Sequence, residues 1–300
     1  MASPIFAIVI LVEIILSNYQ ERKVYSFKET VTNFYLSLLN GALDLAIRSG
    51  YFFIMMYCFQ LRLWNLETNF FYWAGLVVGL DLLFYGLHRM EHFSRLFWAV
   101  HVTHHSSDKM NFSVAFRASV FQPLYRFMFF IPLAFLGFEP IDILFVYSLT
   151  MFWTLFVHTE FIGKLGWMEK IFVTPSHHRV HHASNDKYLD RNMGQVFIIW
   201  DRLFGTFQEE LPADEYEPIR YGLTTPPGSK GPINIIFHEF VEISNDLGRK
   251  DLDWKDKVSL LVRPPGWLSK EEERKNVGKS ENDYSEGSDY RSSVKTETRR

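Results

Sequence analysis

Residues 88–105 read H-R-M-E-H-F-S-R-L-F-W-A-V-H-V-T-H-H, and residues 174–182 read T-P-S-H-H-R-V-H-H. Residues three or four apart on an α-helix share a face. His88 with His92, His101 with His104 and His105, and His178 with His181 and His182 therefore project imidazoles in groups. The chain has 11 histidines, and all but His238 fall in these runs or at His158. His238 reads as an ordinary hydrogen-bonded histidine. Crowding imidazoles near a bilayer costs desolvation, and protonated neighbours repel unless a cation holds them neutral. Metal binding removes both costs. The histidines outnumber the ligands one ion takes, so a binuclear site is the economical reading, and imidazole suits iron, copper, zinc or nickel alike.

Outward from these motifs the chain is apolar before about Leu203, with 48% hydrophobic and 17% aromatic residues overall, while charge gathers in short loops and the last third. That is the distribution of a bilayer-embedded body with a wetted tail. A net charge of -3, without a basic stripe among aromatics, gives no nucleic-acid partner. Cys58 is the only cysteine, so neither an intrachain disulfide nor a multi-thiolate site forms.

A span needs about 20 residues. Residues 5–16 lack a basic n-region and a cleavage site, so they read as a retained first span; being short and carrying Glu13, it is tilted or interfacial. Residues 34–59, with Asp44 and Arg48 inside, and 70–87, with Asp81, are long enough to cross. Residues 120–157 are interrupted by Gly137-Phe-Glu-Pro140 and read as a hairpin of two helices. Two crossings return the chain to the side it left, so the histidines before and after the hairpin share one face. The loop 17–29 holds Arg22, Lys23 and Lys28 against Arg62 alone in 60–69. The positive-inside rule then places the histidines in the cytoplasm.

The expected fold is all-α, an integral membrane helical bundle with a cytoplasmic histidine-rich helical cap. Residues 1–69 form N-terminal spans, 70–215 the histidine-rich core with the hairpin at 120–157, 216–269 a cytoplasmic C-terminal segment, and 270–300 a disordered tail poor in large apolar residues. Stretches 165–172 and 196–204 mix aromatics with charge, as interfacial amphipathic helices do.

Asp81, Glu91 and Glu160 lie near the histidines in sequence and are candidates to fix imidazole tautomers, with pairing to a cation such as Arg117 as the alternative for Asp81. Asn185 offers an amide oxygen three residues after His182. Arg117, Arg179 and Arg202 are candidates to clamp a phosphate or carboxylate headgroup, or to pair with acids. Phe112, Phe116, Phe121, Phe152, Trp153 and Phe156 are candidates for a lipid path.

From Asp81 to Asn111, and through T-P-S-H-H-R-V-H-H to I-I-W-D-R-L-F-G-T-F ending at Phe207, the chain resembles the fatty acid hydroxylase/sterol desaturase superfamily, and within it the alkylglycerol monooxygenase-like branch. The resemblance covers about residues 30 to 215. It implies a di-iron centre that uses O2 and two external electrons to hydroxylate a C–H bond of a lipid, cleaving it where the carbon adjoins an ether oxygen. It carries over His88, His92, His101, His104, His105, His158, His178, His181 and His182 as ligands. A second histidine shortly after the isolated one, present in several relatives, is replaced here by Thr159 to Ile162. His177 points about 100° from His178 on a helix, which suits a supporting or substrate-side place.

No cytochrome b5 domain is read in the chain, so electrons are expected from a separate redox protein or a reduced pterin-like cofactor. The bacterial inner membrane is the expected location, the endoplasmic reticulum the alternative. Two other readings stand beside this one: a zinc hydrolase using His88, Glu91 and His92, since H-R-M-E-H matches the H-x-x-E-H pattern, and a non-enzymatic metal-binding or transport protein.

Overall fold

The computed structural model describes residues 3–229 and 231–267; the tail expected at 270–300 lies outside them. The described chain is helical: α1 Ser3–Tyr19, α2 Phe27–Gln60, α3 Phe70–Phe93, α4 Arg95–His105, α5 Pro123–Arg126, α6 Ile131–Leu136, α7 Pro140–Val157, α8 Pro175–His181, α9 Ile199–Phe204, α10 Pro232–Leu247 and α11 Trp254–Val262. Among the described residues no strand forms, and two isolated bridges pair Phe172 with Phe197 and Ala183 with Tyr221.

α2, α3 and α7 are long and apolar enough to cross a membrane. Their shared core joins Met55 and Cys58 of α2, Tyr72, Leu76 and Leu80 of α3, and Ile143, Val146 and Tyr147 of α7. Outward, Leu45, Phe53, Phe70, Phe71, Phe145 and Leu149 are exposed, as a lipid-facing surface requires. α1, with 17 residues, reaches about 25 Å against a hydrocarbon core of about 30 Å. Its Glu13 accepts from Phe112 N at 2.7 Å and from the Thr159 hydroxyl, which ties α1 to the histidine-bearing end.

The hairpin differs from two plain helices. Its first arm is divided into α5, a 3-10 turn at 127–130 and α6, and only α7 is long enough to span. Pro123 and Pro132 open the two short helices and bring no N–H to a longer ladder. Arg126 between them is buried against Asp44 at 2.8 Å, and Asp44 also pairs with Arg48. The polar residues inside the second apolar stretch thus hold the first arm of the hairpin to α2. Likewise, stretch 165–172 forms a single 3-10 turn at 166–170 and 196–204 forms only the short α9, joined by the bridge between Phe172 and Phe197.

The turn falls at Gly137, whose φ of 107° is left-handed and whose absent Cβ would clash with the Trp64 carbonyl oxygen. Beside it Leu63 N donates to Phe135 O at 2.8 Å, docking the hairpin tip on the loop after α2. Gly137→Ala is therefore expected to cost about 1–3 kcal/mol, read as a lower thermal midpoint in detergent. An unchanged midpoint would contradict this docking.

Candidate metal centre

α3 runs two turns past its buried core to present His88 and His92, ends at Phe93, and turns through extended Ser94 directly into α4, which carries His101, His104 and His105. α7 ends at Val157, leaving His158 as its cap. α8 starts with Pro175 after a capping box between Thr174 and His177 and presents His178 and His181, with His182 as its C-cap.

The nine histidines meet in two sets. His88, His92, His101, His105 and His181 form one, and His104, His158, His178 and His182 the other, each with its ligand atoms within 4.8 Å of one another. The sets adjoin: the rings of His105 and His182 stack at 4.5 Å, and those of His101 and His104 lie 5.4 Å apart. All but His104 are buried.

The outer nitrogens fix how these rings are protonated. Nδ1 of His88 lies 2.8 Å from Met193 O, of His104 3.2 Å from Arg117 O, of His158 2.6 Å from Thr154 O, of His181 2.9 Å from Arg191 O, and of His92 3.0 Å from Asp190 Oδ1. Carbonyls and carboxylates only accept, so each Nδ1 carries the proton and each Nε2 a bare lone pair. Those lone pairs point into the two sets. His104 and His158 approach through Nε2 at 3.3 Å, His158 and His178 at 2.9 Å, His88 and His101 at 3.1 Å, and His101 and His105 at 3.2 Å. Nε2 of His92, His181 and His182 is buried without a partner. Neighbouring nitrogens bound at about 2.1 Å from one metal stand about 3.0–3.4 Å apart, so two cations fit this donor set.

Three of the Nδ1 partners come from residues 190–193. Asp190 and Asn192 adopt left-handed φ values of 55°, a conformation Asn and Asp tolerate. Asp201 fastens the segment by accepting from Met193 N at 2.6 Å and Gly194 N at 2.8 Å. Asp190 was not read from the sequence, although D-R-N-M-G carries the left-handed residue types. Glu91 faces His101 Nδ1 at 3.3 Å through Oε2, off the line of a hydrogen bond, and accepts from Gln122 at 2.8 Å and Tyr125 at 2.7 Å through Oε1. With Glu91 so engaged and His88 and His92 inside a five-histidine set, the site is not the two-histidine zinc arrangement with a carboxylate base.

Other sequence candidates do not reach the centre. Asp81 accepts from Val196 N, Phe197 N and the Trp200 indole at 2.9–3.0 Å, anchoring that segment instead of an imidazole or Arg117. Arg117 is fully buried and bonded to Thr103 O, Ser106, Asn33 and Glu29, so no headgroup reaches it; its carbonyl serves His104. Arg179 ties Thr159 O and Ile162 O to Glu210. Asn185 spends its amide on Pro218 O and Arg220 N. Arg202 lies over the Phe207 ring. His177 caps α8. Glu160 lines a surface cavity with Arg22 and Arg179, while Thr154 O takes the place beside His158.

Two cavities meet the centre. One, of about 180 Å³, touches His88, His101, His104, His158 and His178 and is walled by Phe84, Ala115, Ala118, Tyr147, Met151 and Val157 among others; none of the six expected aromatic path residues lines it. Gln195, on the same wall, buries an amide oxygen that has no partner. The other, of about 670 Å³, touches His92, His105, His181 and His182 and is walled by α10 and residues 222–228.

Burial first, and then the neighbouring imidazoles, holds His101, His105, His178, His181 and His182 well below the ordinary histidine value of 6.5. Burial likewise drives His158 down to about 4. These rings are neutral donors at pH 7.

Purified protein is expected to hold about two metal ions per chain, and His181→Ala or His178→Ala to remove about one each by elemental analysis. Loss of neither would contradict the two-set arrangement. The unfolded chain binds protons at these rings below pH 6.5 and the folded chain does not. In metal-free protein these rings are therefore expected to lower stability, read as the thermal midpoint, as pH falls below 6.5. A flat profile down to pH 5 would contradict the buried neutral set.

Residues 73–206, which contain all nine histidines, match the family model described as fatty acid hydroxylase. The chain is 34% identical over 270 residues to alkylglycerol monooxygenase of Homo sapiens, covering 89% of this chain and 59% of that protein. It is 37% identical over 196 residues to alkylglycerol monooxygenase of Xenopus tropicalis, covering 65% and 42%. To an ornithine lipid hydroxylase of Rhizobium tropici it is 32% identical over 136 residues, covering 44% and 41%. The chain thus spans no more than 59% of the length of these relatives. No solved structure matches it. Residues 73–206 are thus similar to the fatty acid hydroxylase family, and they lie in an all-helical frame with three helices long and apolar enough to cross a membrane.

Proposed function

We propose that this chain is a membrane lipid oxygenase in which the two histidine sets hold two iron ions. The observation that carries the reading is the convergence of bare imidazole nitrogens in two adjoining sets at the ends of α3 and α7, beside a cavity walled by those same helices. The printed names of the relatives, lipid monooxygenases and hydroxylases, support a lipid substrate. Bound iron supplies the O2 activation that side-chain acid–base chemistry lacks. Overall, one oxygen atom enters a C–H bond and the other leaves as water, with two electrons and two protons from a separate donor. On a carbon beside an ether oxygen the hydroxylated product is a hemiacetal, which separates into an aldehyde and an alcohol.

The chain's own residues do the positioning. The Nδ1 acceptors keep five of the nine rings, His88, His92, His104, His158 and His181, in one tautomer and orientation. Phe84, Ala115, Ala118, Met151 and Val157 give the small cavity an apolar wall to hold hydrocarbon against the centre, beside polar Asn40, Gln122 and Gln195. Loop 17–29, which carries the excess positive charge, lies at the histidine end, where Arg22 reaches Glu160 O. By the positive-inside rule the centre faces the cytoplasm, in a bacterial inner membrane or an endoplasmic reticulum alike.

Iron-loaded protein in vesicles with an alkylglycerol and a reductant is expected to consume O2 and release aldehyde, and His104→Ala to abolish this with the fold retained. Full activity in His104→Ala, or a hydrolytic product, would overturn the reading. Ala118→Phe, which fills much of the small cavity, is expected to lower lipid turnover at least about tenfold with metal content unchanged; unchanged turnover would place the substrate elsewhere.

A further inference from the structure

α10 and α11 carry an apolar face that the protein leaves uncovered. On α10, Ile233, Phe237 and Val241 recur every four residues and at 100° per residue fall within about 80°. On α11, Trp254, Val258 and Val262 do the same, and the six side chains are 43–71% exposed. The opposite face of α10 is packed: Ile235 and Ile236 bury against Leu36 of α2, with Leu39, Val120 and Phe121 beside them. Arg95 of α4 fastens the helix through Glu239 at 2.7 Å and Asp246 at 2.5 Å.

The depth of that contact follows from α2. Its 34 residues reach about 51 Å, more than the hydrocarbon core of about 30 Å. Counting about 20 residues back from Gln60 uses up the core near Gly41, which leaves Leu36 and Leu39 at the bilayer surface. This is the level at which α3 delivers His88 and His92 and α7 delivers His158. Leu38 of α2, two residues from the Leu36 on which α10 packs, is exposed at the same level. α11 adds an interfacial tryptophan and exposed basic residues, Lys255 and Arg263, which suit the headgroup layer.

We propose that α10 and α11 lie in the plane of the membrane, with Ile233, Phe237, Val241, Trp254, Val258 and Val262 sunk into the lipid surface. Asn234, His238 and Glu242, at about 60°, 100° and 140° around α10 from the centre of the stripe, line the 670 Å³ chamber, and Val241 belongs to both stripe and chamber wall. Docking thus sets the mouth of the outer chamber at the lipid–water boundary, open to an amphiphile's polar end. The inference rests on α2, α3 and α7 being spans and not on iron or oxygen chemistry.

Cys58 is buried, so cysteines introduced at surface positions label selectively. In nanodiscs, a fluorophore at Phe237→Cys, Val241→Cys or Val258→Cys is expected to be quenched by brominated lipid several-fold more than one at Glu242→Cys, and to be shielded from aqueous iodide. Phe53→Cys, on the exposed side of α2, reports the span reading independently. Lipid quenching at Phe53 with iodide-accessible labels on both helices would overturn the proposal. Labels shielded from both quenchers, as under a second protein surface, would overturn it too.

Discussion

The structure depends on one electrostatic constraint: the inner nitrogens of neutral imidazoles crowd within 2.9–3.3 Å of each other, and at His104 and His158, whose Nδ1 protons are both held by carbonyls, lone pair faces lone pair. Such an arrangement is repulsive by itself, and burial prevents protonation from relieving it. Cations at the two foci would convert repulsion into coordination. The acceptors behind the rings act together with this constraint, because a ring whose Nδ1 is held by a carbonyl presents its bare nitrogen inward without a choice of tautomer.

The membrane frame serves the same end. α3 and α7 deliver their histidines at one level because the hairpin brings the chain back, and the hairpin is held by Gly137 at its tip and by Arg126 and Asp44 along its first arm. The centre sits as a partition: a small cavity among the spans on one side, a large polar-edged chamber on the other.

Much of this was legible in the residues. Ligand spacing at three and four positions marks a helical face, and long apolar runs mark spans, because both follow from local periodicity. The partners of those ligands were not legible. Met193 O, Arg191 O, Thr154 O and Arg117 O are backbone atoms, which any residue brings. Asp81, Glu160, Arg117, Arg179 and Asn185 were read toward the site from nearness in sequence, yet buried polar side chains must satisfy backbone groups wherever the chain leaves a helix, and most of these serve that need. The divided first arm of the hairpin was hidden for a related reason: hydropathy registers Phe127 to Leu136 as apolar whether or not Pro123, Pro132 and the buried Arg126 break the helix.

What the two histidine sets bind decides the chemistry. X-ray absorption at the iron edge, on protein purified anaerobically with its metal-to-chain ratio, tests this most directly. Two irons per chain in a shell dominated by imidazole nitrogen is the predicted result. A single zinc, or a fully folded protein whose histidines hold no metal after loading with ferrous iron, would contradict it.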